Sequence, residues 1–137
     1  MQANSRCFID SNIWLYAFIE SDDLDKHKKA QRLIQTTTPI ISTQVINEVC
    51  VNLIRKANFS EEQIRQLITS FYGNYQVQKL NQSTALAATQ LRESYSLSFW
   101  DSMMIASALD ASLSCLYSED MHNGLHIFNQ LQIINPF

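Results

Sequence analysis

Only two glycines and two prolines occur among 137 residues. These residues are the strongest local breakers of regular structure, so a chain nearly without them has few irregular stretches. Short apolar runs predict strands over residues 6–9, 39–42, 75–80, 114–117 and 132–135. Between them, apolar residues recur at helical spacing and predict helices over 12–19, 24–35, 43–56, 60–72, 83–95 and 98–111. Gly73 and Asn74 are the expected stop of the fourth helix. Strands that alternate with helices predict an α/β fold, a central mostly parallel sheet of five strands with helices on both faces. No linker, repeat or low-complexity tract interrupts the pattern, so residues 1–137 are expected to form a single domain.

Composition removes several function classes. No apolar run approaches the roughly 20 residues that cross a bilayer. The start, Met-Gln-Ala-Asn-Ser-Arg, lacks the charged and apolar regions of a signal peptide. The expectation is a cytoplasmic protein without a membrane partner. Cys7, Cys50 and Cys115 are odd in number and widely spaced, which reads as free thiols in a reducing compartment. No Cys/His spacing suits zinc, and Gly124 between His122 and His126 argues against a paired site on a helix. The net charge of -3 does not favour nucleic-acid binding by bulk electrostatics, so such binding would need a local basic patch.

Four carboxylates concentrate the chemical interest: Asp10, Glu48, Asp101 and Asp120, each expected near a strand-to-helix junction. Each has a structural explanation of its own. Asp10 suits a helix N-cap, and Asp101, three residues after Ser98, resembles a capping-box partner. Asp120 suits a turn. Glu48 is harder to dismiss, because it falls outside the apolar stripe of its helix, roughly 60° around from Val45. Ligands of open α/β sheets bind beyond the carboxyl ends of the strands. Acidic groups gathered there repel one another, and a hard divalent cation relieves that repulsion. Such an ion ionises water and stabilises phosphoryl charge, which predicts a metal-dependent nuclease.

Substrate contact has weaker signals. Lys26, Lys28, Lys29 and Arg32 cluster on the second helix, and Arg55 with Lys56 ends the third. They read either as a solvated helix face or as phosphate contacts, with Lys28, Arg32, Arg55 and Lys56 the RNA-contact candidates. Trp14, Tyr16 and Trp100 lie near acidic positions and suit either the core or stacking on an unpaired base.

Four segments then carry a resemblance: Phe8-Ile-Asp-Ser-Asn-Ile-Trp-Leu-Tyr-Ala, Ile41-Ser-Thr-Gln-Val-Ile-Asn-Glu-Val, Leu97-Ser-Phe-Trp-Asp-Ser-Met-Met-Ile-Ala-Ser-Ala and Leu116-Tyr-Ser-Glu-Asp-Met. In this order, with the closing Ile133-Ile-Asn-Pro-Phe, the chain resembles PIN-domain proteins, above all the VapC-type toxins of toxin–antitoxin pairs. The resemblance implies a PIN-like fold and a Mg²⁺- or Mn²⁺-dependent endoribonuclease. By position it implies Asp10, Glu48 and Asp101 as the core metal carboxylates and Asp120 as the fourth. Asn12 and Ser118 fall beside them in the supporting shell. Asp120 is preferred to Glu119 because the family pattern is hydroxyl, any residue, aspartate. It also implies a homodimer, an RNA substrate cut in a single-stranded loop, and a cognate small antitoxin.

Rival readings remain at this level. A non-catalytic RNA-binding module would be favoured by a missing carboxylate, and none is missing. A phosphatase would want Asp-x-Asp, whereas Ser-Asn follows Asp10. Gly-rich nucleotide loops are absent. A PIN nuclease that processes RNA without being a toxin fits the same residues.

Overall fold

The computed structural model describes residues 5–137. Met1 to Asn4, part of the start read above as unlike a signal peptide, lie outside the described residues. In chain order the elements are β1 (Ser5–Ile9), α1 (Ser11–Phe18), α2 (Leu24–Thr36), β2 (Thr37–Ser42), α3 (Thr43–Ala57), α4 (Glu61–Asn74), β3 (Gln76–Gln78), α5 (Gln82–Ser94), α6 (Phe99–Asp110), β4 (Cys115–Tyr117), β5 (His126–Ile127) and β6 (Leu131–Ile134). They build one sheet in the order β3-β2-β1-β4-β6-β5.

β1 lies inside the sheet, between β2 and β4. Cys7, Phe8 and Ile9 are all buried, as expected for a parallel strand covered on both faces. It pairs in parallel with β2 on one side and β4 on the other. β2–β3 and β4–β6 are parallel too, so five strands end at one edge of the sheet. The chain reverses its direction of travel across the sheet at β1, which is where α/β folds open a ligand crevice.

Three expectations are corrected. The sheet has six strands rather than five, because β5 adds an antiparallel edge against β6. Two residues are too few to show an alternating pattern. Its hairpin turn uses Phe128 and Asn129 at positive φ, 50° and 55°, where Asn-Gly would be the usual signal. The strained Phe128 is held by Tyr95, whose hydroxyl accepts from the Phe128 N–H at 3.0 Å. Second, β2 starts at Thr37, ahead of Pro39. β3 joins β2 only from Ile40 onward, so Pro39 stands where the strand has one neighbour. Third, α4 passes through Gly73 and ends at Asn74. Its stop is Tyr75, drawn into extended backbone by packing against Trp14 at 5.2 Å between ring centroids.

Trp14 anchors one face of the sheet. Its ring is 2 % exposed, meets Phe71 edge-on at 5.1 Å, and its indole N–H donates to the Ile9 carbonyl at 3.1 Å. It is a core residue and not a base platform. Near the other end of the chain, α6 is buried on nearly every side, with Ser102 through Ala108 all inside. The three cysteines are free; burial pushes the Cys7 thiol up to about 11, which suits an inert packing role. His122 and His126 are exposed, and no helix pairs them. No helix is long and apolar enough to cross a membrane among the described residues.

Trp14→Ala is expected to lower unfolding free energy by about 3–5 kcal/mol, the range for deleting a large buried aromatic. Trp100, 63 % exposed, is the control, and Trp100→Ala is expected to change stability by roughly 0.5 kcal/mol at most. Urea unfolding of the two variants measures the contrast. Equal losses would show that the Trp14 face is not the organising part of the core.

Candidate metal and nuclease site

Asp10 occupies the first position after β1, where the strand hands over to α1. It is the N-cap of that helix, as its residue type favours. Yet capping accounts for only part of its carboxylate. Oδ1 accepts from the Ser11 backbone N–H at 2.6 Å and from Ser11 Oγ at 3.3 Å. Oδ2 accepts from Ser118 Oγ at 2.7 Å and from Asn12 Nδ2 at 3.3 Å. Ser118 comes from the end of β4, so the hydrogen bond ties the two central strands together beyond their ladder.

The same donors reach the other carboxylates. Ser11 Oγ also lies 3.3 Å from Glu48 Oε2, and Asn12 Nδ2 donates to Asp120 Oδ2 at 3.0 Å. Glu48 sits in the second turn of α3, and its other oxygen accepts from Gln44 Nε2 at 3.0 Å, one helical turn back. Asp101 stands in the first turn of α6, and its backbone N–H donates to the N-cap hydroxyl of Ser98 at 3.1 Å. Among the described residues no reciprocal bond from the Asp101 carboxylate to the Ser98 N–H makes a capping box there. All four expected carboxylates thus come to the carboxyl edge of β1, β2 and β4.

The junction expectation needs correction in detail. Only Asp10 lies directly between a strand and a helix. Glu48 is inside α3, Asp101 follows the α5–α6 turn, and Asp120 lies in a loop that leads to β5. What unites Asp10, Glu48 and Asp120 is a sheet edge with shared hydrogen-bond donors, and Asp101 joins them only through the nearby charge of Asp120, so there is no repeated local unit.

Burial and mutual repulsion set the electrostatics. Asp10, 5 % exposed, has its carboxyl raised to about 6, mainly because burial disfavours the charge; the Ser118 and Ser11 donors lower it, and Glu48 nearby raises it. Asp101 is also raised, first by burial, with the Ser98 interaction lowering it and the Asp120 charge raising it. Among the described residues, none of the four forms an ion pair; the two pairs present are Lys26–Glu119 and Lys29–Asp25. Glu119 is spoken for, bonded by Lys26 and by the Tyr16 hydroxyl at 2.8 Å. Asp120 is therefore the acidic residue of this loop that stays without a cation.

Oxygen-only donors without a protein cation fit a hard divalent ion. Among the described residues no three acidic, histidine or cysteine side chains close into a ready-made cage. A magnesium-sized ion keeps several waters and needs one or two carboxylates, so this wider spacing still suits it.

The basic candidates divide. Lys56 lines a cleft of about 210 Å³ together with Asn12, Glu119 and Asp120, so it borders the acidic site. Lys26 and Lys29 are occupied by their ion pairs. Lys28, Arg32 and Arg55 are exposed, and no contact among the described residues joins them to the carboxylates. Tyr16 packs on Phe137 at 5.2 Å and holds Glu119, a structural task. Sequence reasoning missed Ser11 and Gln44 as partners of the carboxylates. Gln44 had a signal, since it lies four residues before Glu48 on the same helical face.

The PIN domain profile matches residues 7–122. The chain belongs to the PIN domain family. Its fold is shared with a toxin–antitoxin complex from Klebsiella pneumoniae at TM-score 0.72, with 19 % identity over 96 % of this chain and 98 % of that one. VapC20 of Mycobacterium tuberculosis, a toxin described as cleaving the sarcin–ricin loop, aligns at 0.67 with 16 % identity over 83 % and 91 %. VapBC2 from Rickettsia felis, bound to promoter DNA, aligns at 0.62 with 15 % identity over 93 % and 96 %. No curated protein sequence matches the chain. At these identities the likeness is one of fold.

Asp10 makes stability depend on pH. Its folded value of about 6 lies above the ordinary 3.8, so the folded state binds this proton more tightly than the unfolded state. Its contribution is full below pH of about 4 and is lost as pH climbs through about 6. In metal-free protein, Asp10→Asn is expected to gain up to about 3 kcal/mol over wild type near neutral pH, with the gap closing near pH 4. Added Mg²⁺ is expected to raise the wild-type melting temperature and leave the variant's unchanged. A variant that melts well below wild type at every pH would mean that Asp10 serves only as a cap.

Proposed function

We propose that this PIN domain is a divalent-metal-dependent endoribonuclease that hydrolyses RNA phosphodiester bonds, and that it is the toxin of a type II toxin–antitoxin pair. The observation that carries the reading is the meeting of Asp10, Glu48, Asp101 and Asp120 at one sheet edge without a cation of the protein's own. A purely structural set of caps would have no reason to converge from four distant segments. The fold neighbours support the toxin half of the reading, since they are toxin–antitoxin proteins.

Asp10 and Asp101 would hold Mg²⁺ or Mn²⁺, with Glu48 and Asp120 completing the site directly or through water. An ion held there would supply an ionised water at neutral pH and offset charge developing at phosphorus. The chain's own residues prepare for this. Ser118 and the Ser11 N–H fix the Asp10 oxygens, and Asn12 holds Asp10 and Asp120 at a set separation. Gln44 orients Glu48. Lys56, beside Asp120, binds a substrate phosphate; Lys28, Arg32 and Arg55 position more distant backbone. The working unit is a cytoplasmic homodimer, silenced by a small antitoxin that covers the acidic edge.

Purified protein is expected to cut RNA with Mg²⁺ or Mn²⁺ and to stop in EDTA. Asp10→Asn and Asp101→Asn are each expected to lower kcat by about 100-fold or more while the fold persists by circular dichroism. Full activity after exhaustive chelation would refute the metal role. A stem-loop RNA is expected to be cut faster than its full duplex or a matching DNA hairpin, because a loop exposes its bases. Expression of the chain alone is expected to slow bacterial growth. Normal growth alongside soluble, RNA-cleaving protein would point to a processing nuclease without a toxin role.

A further inference from the structure

A second cleft, of about 480 Å³, opens on the far side of Glu48 and is lined by Thr43, Gln44, Asn47, Glu48, Leu80 and Trp100. It lies between the first turns of α3 and α6, so the elements that bring Glu48 and Asp101 to the acidic edge also form its walls. Its size falls within the range of small-molecule sites. Two features of it have no structural explanation.

The first is Trp100. Its ring is 63 % exposed, although α6 is otherwise the most buried helix of the protein. Among the described residues its one aromatic neighbour is Phe99, at 6.1 Å and nearly perpendicular, and Phe99 is itself 40 % exposed. The second is Gln44. Its Nε2 donates to Glu48 Oε1 at 3.0 Å and to the Trp100 carbonyl at 3.3 Å, which settles which amide atom is which. The side chain is 7 % exposed, and Oε1 is buried without any partner. A buried acceptor left unpaired costs about 1–3 kcal/mol, so the site lacks a donor. Asn47, exposed on the same wall, makes no side-chain hydrogen bond among the described residues.

We propose that this cleft is a base-recognition subsite that holds one unpaired adenine or cytosine of the RNA beside Glu48. Trp100 supplies a stacking face. On binding, the Gln44 amide rotates out of its resting bonds to Glu48 and the Trp100 carbonyl, and its otherwise closed-off Oε1 accepts from the exocyclic amine that both bases carry. The Asn47 amide donates to the ring nitrogen next to that amine. Uracil would set a carbonyl oxygen against the Gln44 oxygen, so it is disfavoured. The acidic edge then cuts at a bond whose position is set by a base held one wall away. Trp100, Gln44 and Asn47 determine which base that is. This inference takes its ligand from the ribonuclease reading.

The test uses the full chain carrying Asp10→Asn, so that RNA binds without turnover. Short adenosine, cytidine and uridine oligomers are titrated while tryptophan emission is followed. Adenosine and cytidine oligomers are expected to quench the emission and to bind several-fold tighter than uridine. Trp100→Phe is expected to abolish the quench while keeping most of the binding, since Trp14 is sealed in the core. Trp100→Ala is expected to weaken adenosine and cytidine binding roughly 5- to 150-fold, the range for loss of one stacked base, without lowering the melting temperature. In otherwise wild-type protein, Trp100→Ala is expected to raise KM more than it lowers kcat.

Equal binding of all three oligomers without a quench would overturn the proposal, as would a Trp100→Ala variant that binds like its parent. A concentration-dependent shift of Trp100 emission without RNA would place a second copy over the cleft and also overturn it. Cleavage by wild type with neither quench nor base preference would sink the cleft and leave the nuclease standing. Quench and preference in a protein that never cleaves would do the reverse.

Discussion

The buried carboxylate of Asp10 is the constraint on which the rest of this site depends. A charge placed at the end of the innermost strand loses most of its hydration, and burial outweighs four hydrogen bonds, leaving the group raised to about 6. The protein therefore holds a partly destabilised anion at the centre of its sheet. Such an arrangement makes sense where a cation restores what burial removed. Every neighbour follows from it. Ser11, Asn12 and Ser118 are polar residues in or beside a tightly packed core, and each turns a donor toward Asp10. The same donors, being shared, bring Glu48 and Asp120 close.

Charge is sorted with some economy in the β4 loop. Glu119 and Asp120 are adjacent, yet they face different fates. Glu119 is neutralised by Lys26 and Tyr16, and Lys26 also lies over the rings of Tyr16 and Phe137 at 5.0 and 5.4 Å. The Glu119 backbone N–H donates to Asn12 Oδ1 at 3.3 Å, which fastens the loop to α1. Asp120 accepts from the opposite end of the same Asn12 amide. One carboxylate thus pins the loop so that the other can be presented without a countercharge. Lys26, part of the basic cluster on α2, is thereby a structural residue.

The chemistry and the proposed selectivity lie on two sides of α3. One side of Glu48 meets Ser11 and the acidic edge, and the other meets Gln44 and the Trp100 cleft. A PIN fold with so few free cations near its site gains little from long-range attraction to a phosphate chain. Local contacts to an unpaired base would supply affinity that backbone charge does not.

Sequence by itself determined the alternation of strands and helices, the mostly parallel sheet, and the four carboxylates, because these follow from local periodicity and from short ordered motifs. Phe8-Ile-Asp and Ser98-Phe-Trp-Asp say where a strand ends and a helix begins, through propensity and capping, which act over a few residues. Tertiary structure decided what those motifs meet. Nothing local in Trp14 and Trp100 shows that one ring seals the core and the other stands in solvent; that depends on which helix face each element turns inward. Nothing local separates Lys26 from Lys28, yet only Lys26 reaches a residue 93 positions away. The two-residue β5 forms because β6 stands ready to pair with it, although the sequence carries no pattern long enough to announce it. Gln44 gains its unpaired oxygen only when α6 packs against α3 and takes the amide nitrogen. Pattern is a property of neighbours in the chain, whereas burial, pairing and the distance between charges are properties of neighbours in space.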